Sequence, residues 1–184
     1  MRLRGMQIVD PSNRGTEGRA DAPLVLQARL VAIYISSGHD YWTKQGAGRF
    51  QHGVQELREV ECVADRGLKG DRYCNKKPGH VGQVTFLDAD VVEEVRQLFH
   101  LHKLPASVFR RNLVVQGGKL KELLKKRFSF QGIEFEGTQE CKPCPWMDRV
   151  IAEGAQAYLK PHFRGGLRAR IVTSGVLRLD EQEF

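Results

Sequence analysis

The chain has 184 residues, of which 41% are hydrophobic and 28% are charged, as expected for one globular domain. Its formal net charge of +7 predicts an anionic partner. The basic residues form no long block and show no helix-turn-helix, RNA-recognition or zinc-finger spacing, which favours a phosphorylated ligand over nucleic acid.

Four cysteines, Cys62, Cys74, Cys141 and Cys144, are too few and too unevenly spaced for a secreted disulfide scaffold. No apolar run of signal-peptide length follows Met1. The longest early apolar run, residues 30–35, is too short to span a membrane. We therefore expect a cytoplasmic protein with reduced thiols and no membrane partner.

In chain order, residues 1–24 are rich in turn formers and are expected to form a flexible tail, and residues 25–184 are expected to form one domain. Apolar and β-branched runs then predict four short strands. These strands cover residues 28–35, 57–63, 81–87 and 113–116.

Two hairpins are predicted further along the chain. Residues 128–130 and 133–135 alternate around a Gln-Gly turn, which places Phe128, Phe130, Ile133 and Phe135 on buried faces. By the same reasoning, residues 168–173 and 176–179 form a second hairpin around Ser-Gly. Alternation along its first strand puts Arg168 and Arg170 on one face.

Three helices are predicted, over residues 90–99, 119–126 and 145–159. Asp90 and Glu93 have the spacing of an N-cap and its partner. Gly154 is expected to break the third helix. Many short strands with few helices predict a mainly β fold, a β-barrel-like domain with a few helical insertions.

The strongest local motif is Cys-Lys-Pro-Cys at residues 141–144. Cys144 directly precedes a predicted helix, with Pro145 at the first helical position. Unpaired N–H groups at a helix start favour the thiolate, the form that attacks as a nucleophile and binds soft metals. An inert buried pair of cysteines explains the isolated motif equally well.

Other interpretations of this cysteine pair are weaker. A thioredoxin-type site needs most of its fold after the motif, but only forty residues follow Cys144. A structural zinc site could recruit Cys62, Cys74 and His80, yet their spacing matches no common zinc module. A phosphatase loop needs an arginine six positions after the cysteine, and Val150 stands there.

Three basic segments could hold an anion: residues 67–72 with Arg72, residues 109–112 with Arg110, Arg111 and Asn112, and residues 164–170 with Arg168. On their own, residues 67–72 are more typical of a solvated surface turn, and residues 109–112 of a basic strand end in solvent. Adjacent strand residues point to opposite faces, so Arg110 is expected to face away from Arg111.

Taken in order, six segments resemble the MOSC family, the domain also found at the C-terminus of molybdenum cofactor sulfurases. They are residues 67–72, 82–87, 110–115, 135–144, 164–171 and 174–178. The resemblance covers about residues 29–179, and residues 37–42 are similar to an early loop in a bacterial branch. The C-terminal Leu-Asp-Glu, where the family often has a Gly-Asp turn, departs from the pattern.

The resemblance implies a β-barrel with a cleft that binds the molybdenum–pterin cofactor, or a sulfur species, on a cysteine matching Cys144, with Cys141 secondary. Arg110, Arg111 and Asn112 match positions near the pterin and its phosphate. We expect Arg72 and Arg168 to lie nearby.

Three functions follow as hypotheses. The first is an oxidoreductase that reduces N-hydroxylated small molecules, and the second is a carrier of sulfur or cofactor on a cysteine persulfide. The third is a basic nucleic-acid-binding domain with structural cysteines. The sequence has no flavin or dinucleotide fingerprint and no iron–sulfur cysteine set, so electrons or sulfur would come from a separate donor protein.

Overall fold

A computed structural model describes residues 23–40 and 52–181. The predicted tail, residues 1–24, lies outside this part of the chain except for its last two residues. Eleven strands form within the described residues. They are Leu24–Val25 (β1), Arg29–Ile35 (β2), Gln55–Leu57 (β3), Glu59–Val63 (β4), Gly67–Leu68 (β5), Val84–Asp88 (β6), Leu113–Gln116 (β7), Arg127–Phe130 (β8), Ile133–Glu140 (β9), Leu167–Ile171 (β10) and Gly175–Arg178 (β11).

The strands build one large, strongly curled sheet and one small sheet. The large sheet has the order β1-β8-β9-β10-β6-β7-β2-β3 and forms a half-barrel, and the small sheet has the order β11-β4-β5. Strands β6 and β7 run parallel, and Leu113 at the start of β7 pairs with Phe86 of β6. Strand β10 runs antiparallel to β6. The predicted mainly β, barrel-like fold with few helices is confirmed.

The inner face of the half-barrel buries the apolar core. Phe86 packs edge-on against Phe128 and Phe135, with ring centroids 5.7 Å and 5.5 Å away. Each such aromatic pair contributes about 0.5–1.5 kcal/mol beyond the burial of its surface. The predicted hairpin of β8 and β9 is confirmed, since Phe128 pairs with Phe135 across it and all four predicted apolar residues are buried.

The second predicted hairpin is wrong. Strand β11 pairs with β4, not with β10, so residues 172–174 cross from the large sheet to the small one. The amides of Val172 and Thr173 both donate to the carbonyl of Glu134, so the chain stays beside β9 just after β10 ends. The predicted strand 57–63 is likewise divided, with β3 in the large sheet and β4 in the small one.

The described residues contain three α-helices: Ala89–Leu98 (α1), Trp146–Val150 (α2) and Ala155–Leu159 (α3). The N-cap of α1 is Asp88, not the predicted Asp90, because its carboxylate accepts the Asp90 amide at 3.0 Å. Gly154, at φ 87°, separates α2 from α3 as expected. No helix among the described residues is long and apolar enough to cross a membrane.

Short 3₁₀ helices occur at Ala106–Phe109 and at Leu120–Leu123. The second replaces the helix predicted over residues 119–126. Lys125 adopts φ 63° and its amide donates to the Gly137 carbonyl, so this stretch turns toward β9 and cannot continue as a helix.

Candidate functional site

A pocket of about 270 Å³ lies over the outer face of β6 and β10. Thr85 and Arg168 pair directly across these strands, so both side chains project from the same face. Their neighbours Val84 and Ala169 are fully buried in the core on the other face. The pocket floor is thus built by strand alternation, and loops supply the remaining walls.

Positive charge dominates this pocket. Six cationic side chains line it, and none of the lining residues that the structure describes is acidic. Two thiols and three aromatic or imidazole rings complete most of the wall. The cations are Arg72, Lys76, Arg110, Arg111, Lys142 and Arg168, the thiols are Cys141 and Cys144, and the rings are His39, Tyr73 and His80.

The structure brings six of the seven candidate site residues together around this pocket. These six are Arg72, Arg110, Arg111, Cys141, Cys144 and Arg168. Asn112 lies outside the lining. The expectation that Arg110 faces away from Arg111 is wrong, because Arg110 ends a 3₁₀ helix at φ 59° and is not part of a strand.

The Cys141 backbone is held tightly against the loop before β10. Its amide donates to the Gly166 carbonyl at 2.8 Å. Its own carbonyl lies so close to Gly165 that a Cβ at that position would collide with it. Glycine at position 165 is therefore required by close approach of two backbone segments. The side chain of Cys141 is 2% exposed, whereas that of Cys144 is only partly buried, which makes Cys144 the more accessible thiol.

The surroundings of Cys144 differ from those predicted. Pro145 takes the N-cap position and not the first helical position, and α2 has only five residues. The Cys144 carbonyl accepts the Met147 amide at 2.9 Å. A helix N-terminus is equivalent to about half a positive charge. The six cationic side chains, and not this short helix, are therefore the main source of positive potential in the pocket.

Arg111 acts as a clamp between loops. Its Nε donates to the Gly165 carbonyl at 2.8 Å, and its Nη1 donates to the Phe109 carbonyl at 2.8 Å. Its Nη2 lies 3.4 Å from the Cys141 carbonyl. Since these partners are neutral, the positive charge of Arg111 is not compensated by them, and its donors hold the cysteine segment in place.

Asn112 is a structural link behind the pocket wall. Its side-chain oxygen accepts the amide and the hydroxyl of Thr85, at 3.1 Å and 2.8 Å. Its side-chain nitrogen donates to the Tyr34 carbonyl and to the Asp71 carboxylate, at 3.1 Å and 3.2 Å. Asp71 also contacts Arg72, so Asn112 supports a pocket residue from behind.

The Asn112→Ala variant is expected to lose stability. Removing the amide leaves the Thr85 amide and the Tyr34 carbonyl without this partner, and each buried unsatisfied group costs about 1–3 kcal/mol. A loss of at least about 2 kcal/mol lowers the Tm by roughly 4 °C or more in a chain of this size. Thermal unfolding measures this change in Tm, with Gln97→Ala, at an exposed position, as the control. An unchanged Tm in Asn112→Ala would argue against the structural role of Asn112.

The ring cluster of His39, Tyr73 and His80 was not predicted from the sequence to be part of the site. Tyr73 stacks on His80 with centroids 5.2 Å apart, and His39 meets Tyr73 edge-on at 5.7 Å. His39 lies in the segment 37–42 that resembled a family loop, and His80 was considered only as a zinc ligand. Because these three residues are far from the cysteines in the sequence, spacing alone did not indicate that they line the same pocket.

The zinc alternative finds no support in the part of the chain that the structure describes. No group of three or more His, Cys, Asp or Glu residues there could hold a metal ion. Cys62 is buried in the core, where burial raises the pKa of its thiol to about 12. It is therefore a core residue and not a zinc ligand.

We expect His39 to stay neutral down to acidic pH. Burial, followed by the charges of Arg72 and Arg110, lowers its pKa from 6.5 to about 4. Because the folded-state pKa is the lower one, the contribution of His39 to stability is present above pH 6.5 and is lost as the pH falls toward 4. An NMR titration tests this. Arg72→Gln should raise the His39 pKa and exposed Arg178→Gln should not; a pKa near 6.5 in the wild type would contradict the account.

Comparisons with known proteins show which family model the chain matches and which solved structures share its fold. The family model described as MOSC domain matches residues 76–182, more than half of the 184-residue chain. The comparison with curated proteins gives no match.

Several solved structures share the architecture. YuaD from Bacillus subtilis has a TM-score of 0.62 and 14% identity, covering 83% of this chain and 91% of that chain. YiiM from Escherichia coli has a TM-score of 0.57 and 13% identity, covering 85% and 71%. A crystal structure of a hypothetical protein has a TM-score of 0.59 and 14% identity. The match covers 83% of this chain but only 65% of that chain. Identities this low show a shared fold alone.

Proposed function

The chain belongs to the MOSC domain family, and we propose that its pocket binds the molybdenum cofactor and that the protein reduces N-hydroxylated compounds. One observation carries the proposal. The accessible thiol of Cys144 lies in a pocket lined by six cations, with no acidic side chain among the lining residues described.

The residues present fit such a cofactor. A cysteine sulfur is a soft ligand that suits a thiophilic metal, and no other soft donor besides Cys141 and Met147 lines the described part of the pocket. The cations suit the phosphate that the pterin carries. Ligand pockets usually span about 300–1,000 Å³. At about 270 Å³, this one suits the metal end and an anionic group and does not enclose the whole cofactor.

The roles of the chain's own residues follow from their contacts. Cys144 would hold the metal, while Arg111 and Gly165 fix the neighbouring Cys141 backbone. The cations bind and orient anionic groups. The bound cofactor would supply the two-electron and oxygen-atom chemistry, and the protein supplies position and electrostatics.

The proposed reaction breaks the N–O bond of an N-hydroxylated compound. Two electrons from a separate donor protein and two protons from solvent convert the N–OH group to N–H and release water. A net charge of +7 would attract an acidic donor protein, so the rate of electron delivery should fall as ionic strength rises.

The proposal is tested by reducing an N-hydroxylated purine or an amidoxime with cofactor-loaded protein and reduced viologen. We expect turnover in the wild type and in Cys74→Ser, a cysteine outside the pocket lining. Cys144→Ser should give none. Equal turnover in Cys144→Ser, or none in loaded wild-type protein across such substrates, would contradict the proposal.

A second candidate is a carrier that holds a persulfide on Cys144. The presence of Cys141 in the same pocket favours it, because a second thiol could help release the bound sulfur. Persulfide on Cys144 that transfers to an acceptor protein, together with no reductase turnover, would favour the carrier.

A further inference from the structure

A groove at one edge of the large sheet is separate from the pocket over β6 and β10. It has a volume of about 270 Å³ and lies between β1 and the 3₁₀ helix Leu120–Leu123. Leu24, Val25 and Leu26 line it on the side of β1, and Leu123 lines it on the side of the helix. None of the described residues lines both cavities. A molecule bound in this groove is therefore bound apart from the cysteines.

The outer side of β1 has no partner strand in the described part of the chain. Strand β1 is the last strand in the order of the large sheet, and it pairs there with β8. The Leu26 amide donates to the Ser129 carbonyl of β8 at 2.9 Å. Because successive residues of a strand direct their backbone groups to alternate sides, the N–H and C=O of Val25 point away from β8. An edge of this kind is a template for one more strand.

The same edge exposes apolar surface. Leu24 is 43% exposed and Val25 is 61% exposed, the highest value among the large hydrophobic side chains that the structure describes. A single exposed apolar side chain is normal on a protein surface. Two adjacent ones on an open strand, beside an apolar groove, are typical of a surface that another molecule covers.

A basic segment, residues 119–127, borders the groove. Glu122 is its only acidic residue and pairs with Lys119 at 3.6 Å. Leu24 pairs with Phe128, the residue that follows this segment, so the segment ends next to β1. Five of its residues are exposed cations, and all but Lys119 make no ion pair within the described residues: Lys119, Lys121, Lys125, Lys126 and Arg127.

We propose that this edge binds an acidic, extended segment of a partner protein, which adds to the large sheet as a strand beside β1. The segment bonds through its backbone to Val25 and buries apolar side chains against Leu24 and the groove. Its carboxylates pair with the cations of the basic segment. A second copy of this chain fits this edge less well, because a symmetric pair of β1 edges brings two basic segments together.

The proposal is tested with a fluorescein-labelled peptide in which glutamate and valine alternate, added to the full chain and followed by fluorescence anisotropy. We expect saturable binding at low ionic strength that weakens as salt screens the charges. A peptide with lysine in place of glutamate should not bind.

Charge reversal in the basic segment tests the role of its cations. The double variant Lys125→Glu/Lys126→Glu should weaken binding about tenfold or more, since two attractive contacts become repulsive. The double variant Lys103→Glu/Lys160→Glu makes the same change in net charge at two exposed positions outside the groove. This control should bind the glutamate peptide as tightly as the wild type.

Two variants at Val25 test strand addition. Val25→Pro removes the outward N–H and should weaken binding, and proline at this position leaves the bonds of β1 to β8 in place. Val25→Thr keeps the N–H and the β-branched shape and should weaken binding much less. Thermal unfolding shows whether both variants are folded, and if Val25→Pro is not, the charge-reversal pair still decides.

Several results would overturn the proposal. One is the absence of saturable peptide binding to the wild type, and another is equal affinity in the wild type, Lys125→Glu/Lys126→Glu and folded Val25→Pro. Binding of phosphatidylglycerol vesicles without binding of the peptide would assign the surface to a membrane. Dimerisation that is lost in Val25→Pro would assign it to a second copy of the chain. All of these measurements use metal-free protein, so this proposal and molybdenum binding at Cys144 fail separately.

Discussion

Cys144→Ser is expected to lose bound molybdenum while remaining folded. A serine hydroxyl is a hard, weakly acidic donor and does not replace a soft thiolate toward this metal. Cys144 is only partly buried, and the substitution removes little packing, so stability should change by less than about 1 kcal/mol. Metal content per chain, measured beside thermal unfolding, checks both parts of the expectation.

The other cysteines serve as controls for this variant. Cys141→Ser should retain part of the metal, because Cys141 is buried and secondary in the pocket. Cys74→Ser should retain all of it, since Cys74 does not line the pocket. Full molybdenum occupancy in Cys144→Ser would remove Cys144 from the role of ligand.

Arg111→Ala should weaken cofactor retention by about 10- to 150-fold. A hydrogen bond to a charged group is typically worth about 1.5–3 kcal/mol, which converts to this range. The structure adds a route for the effect. Arg111 donates to the carbonyls of Gly165, Phe109 and Cys141, so its loss frees the cysteine segment as well as removing a charge.

Loss of the contacts that hold the cysteine segment and loss of charge can be told apart by measuring cofactor retention and thermal stability in the same variants. Loss of the clamp predicts a lower Tm in Arg111→Ala together with weaker retention. Lys142→Ala removes a lining charge without a clamp, and it should weaken retention less and leave the Tm unchanged. Unchanged retention in both variants would exclude a part for these cations in cofactor binding.

Local patterns in the sequence predicted much of the fold. Alternation around Gln131 and Gly132 identified the hairpin of β8 and β9, because each residue's face is set by its immediate neighbours. The same reasoning failed at Ser174, where the partner of β11 is β4, more than a hundred residues earlier in the chain. Hydrophobic periodicity carries no information about which distant strand a segment pairs with.

The site likewise has features that local sequence predicts and features that depend on contacts between distant segments. The cysteine motif and the arginines were found because each motif is local. Their order along the chain resembles that of the MOSC family, which assigned them to one site. The clustering of His80 with Arg168 depends on the pairing of β6 with β10. Likewise, the sequence alone does not indicate that the side-chain amide of Asn112 bonds to Thr85 and Asp71. Such roles depend on side-chain direction, which spacing does not determine.

The most direct test of the central claim is an experimental structure of the full chain loaded with the molybdenum cofactor. We expect molybdenum bonded to Sγ of Cys144 inside the pocket lined by Arg111 and Arg168. Cofactor bound elsewhere on the chain, or bound in this pocket with the Cys144 thiol free, would contradict it.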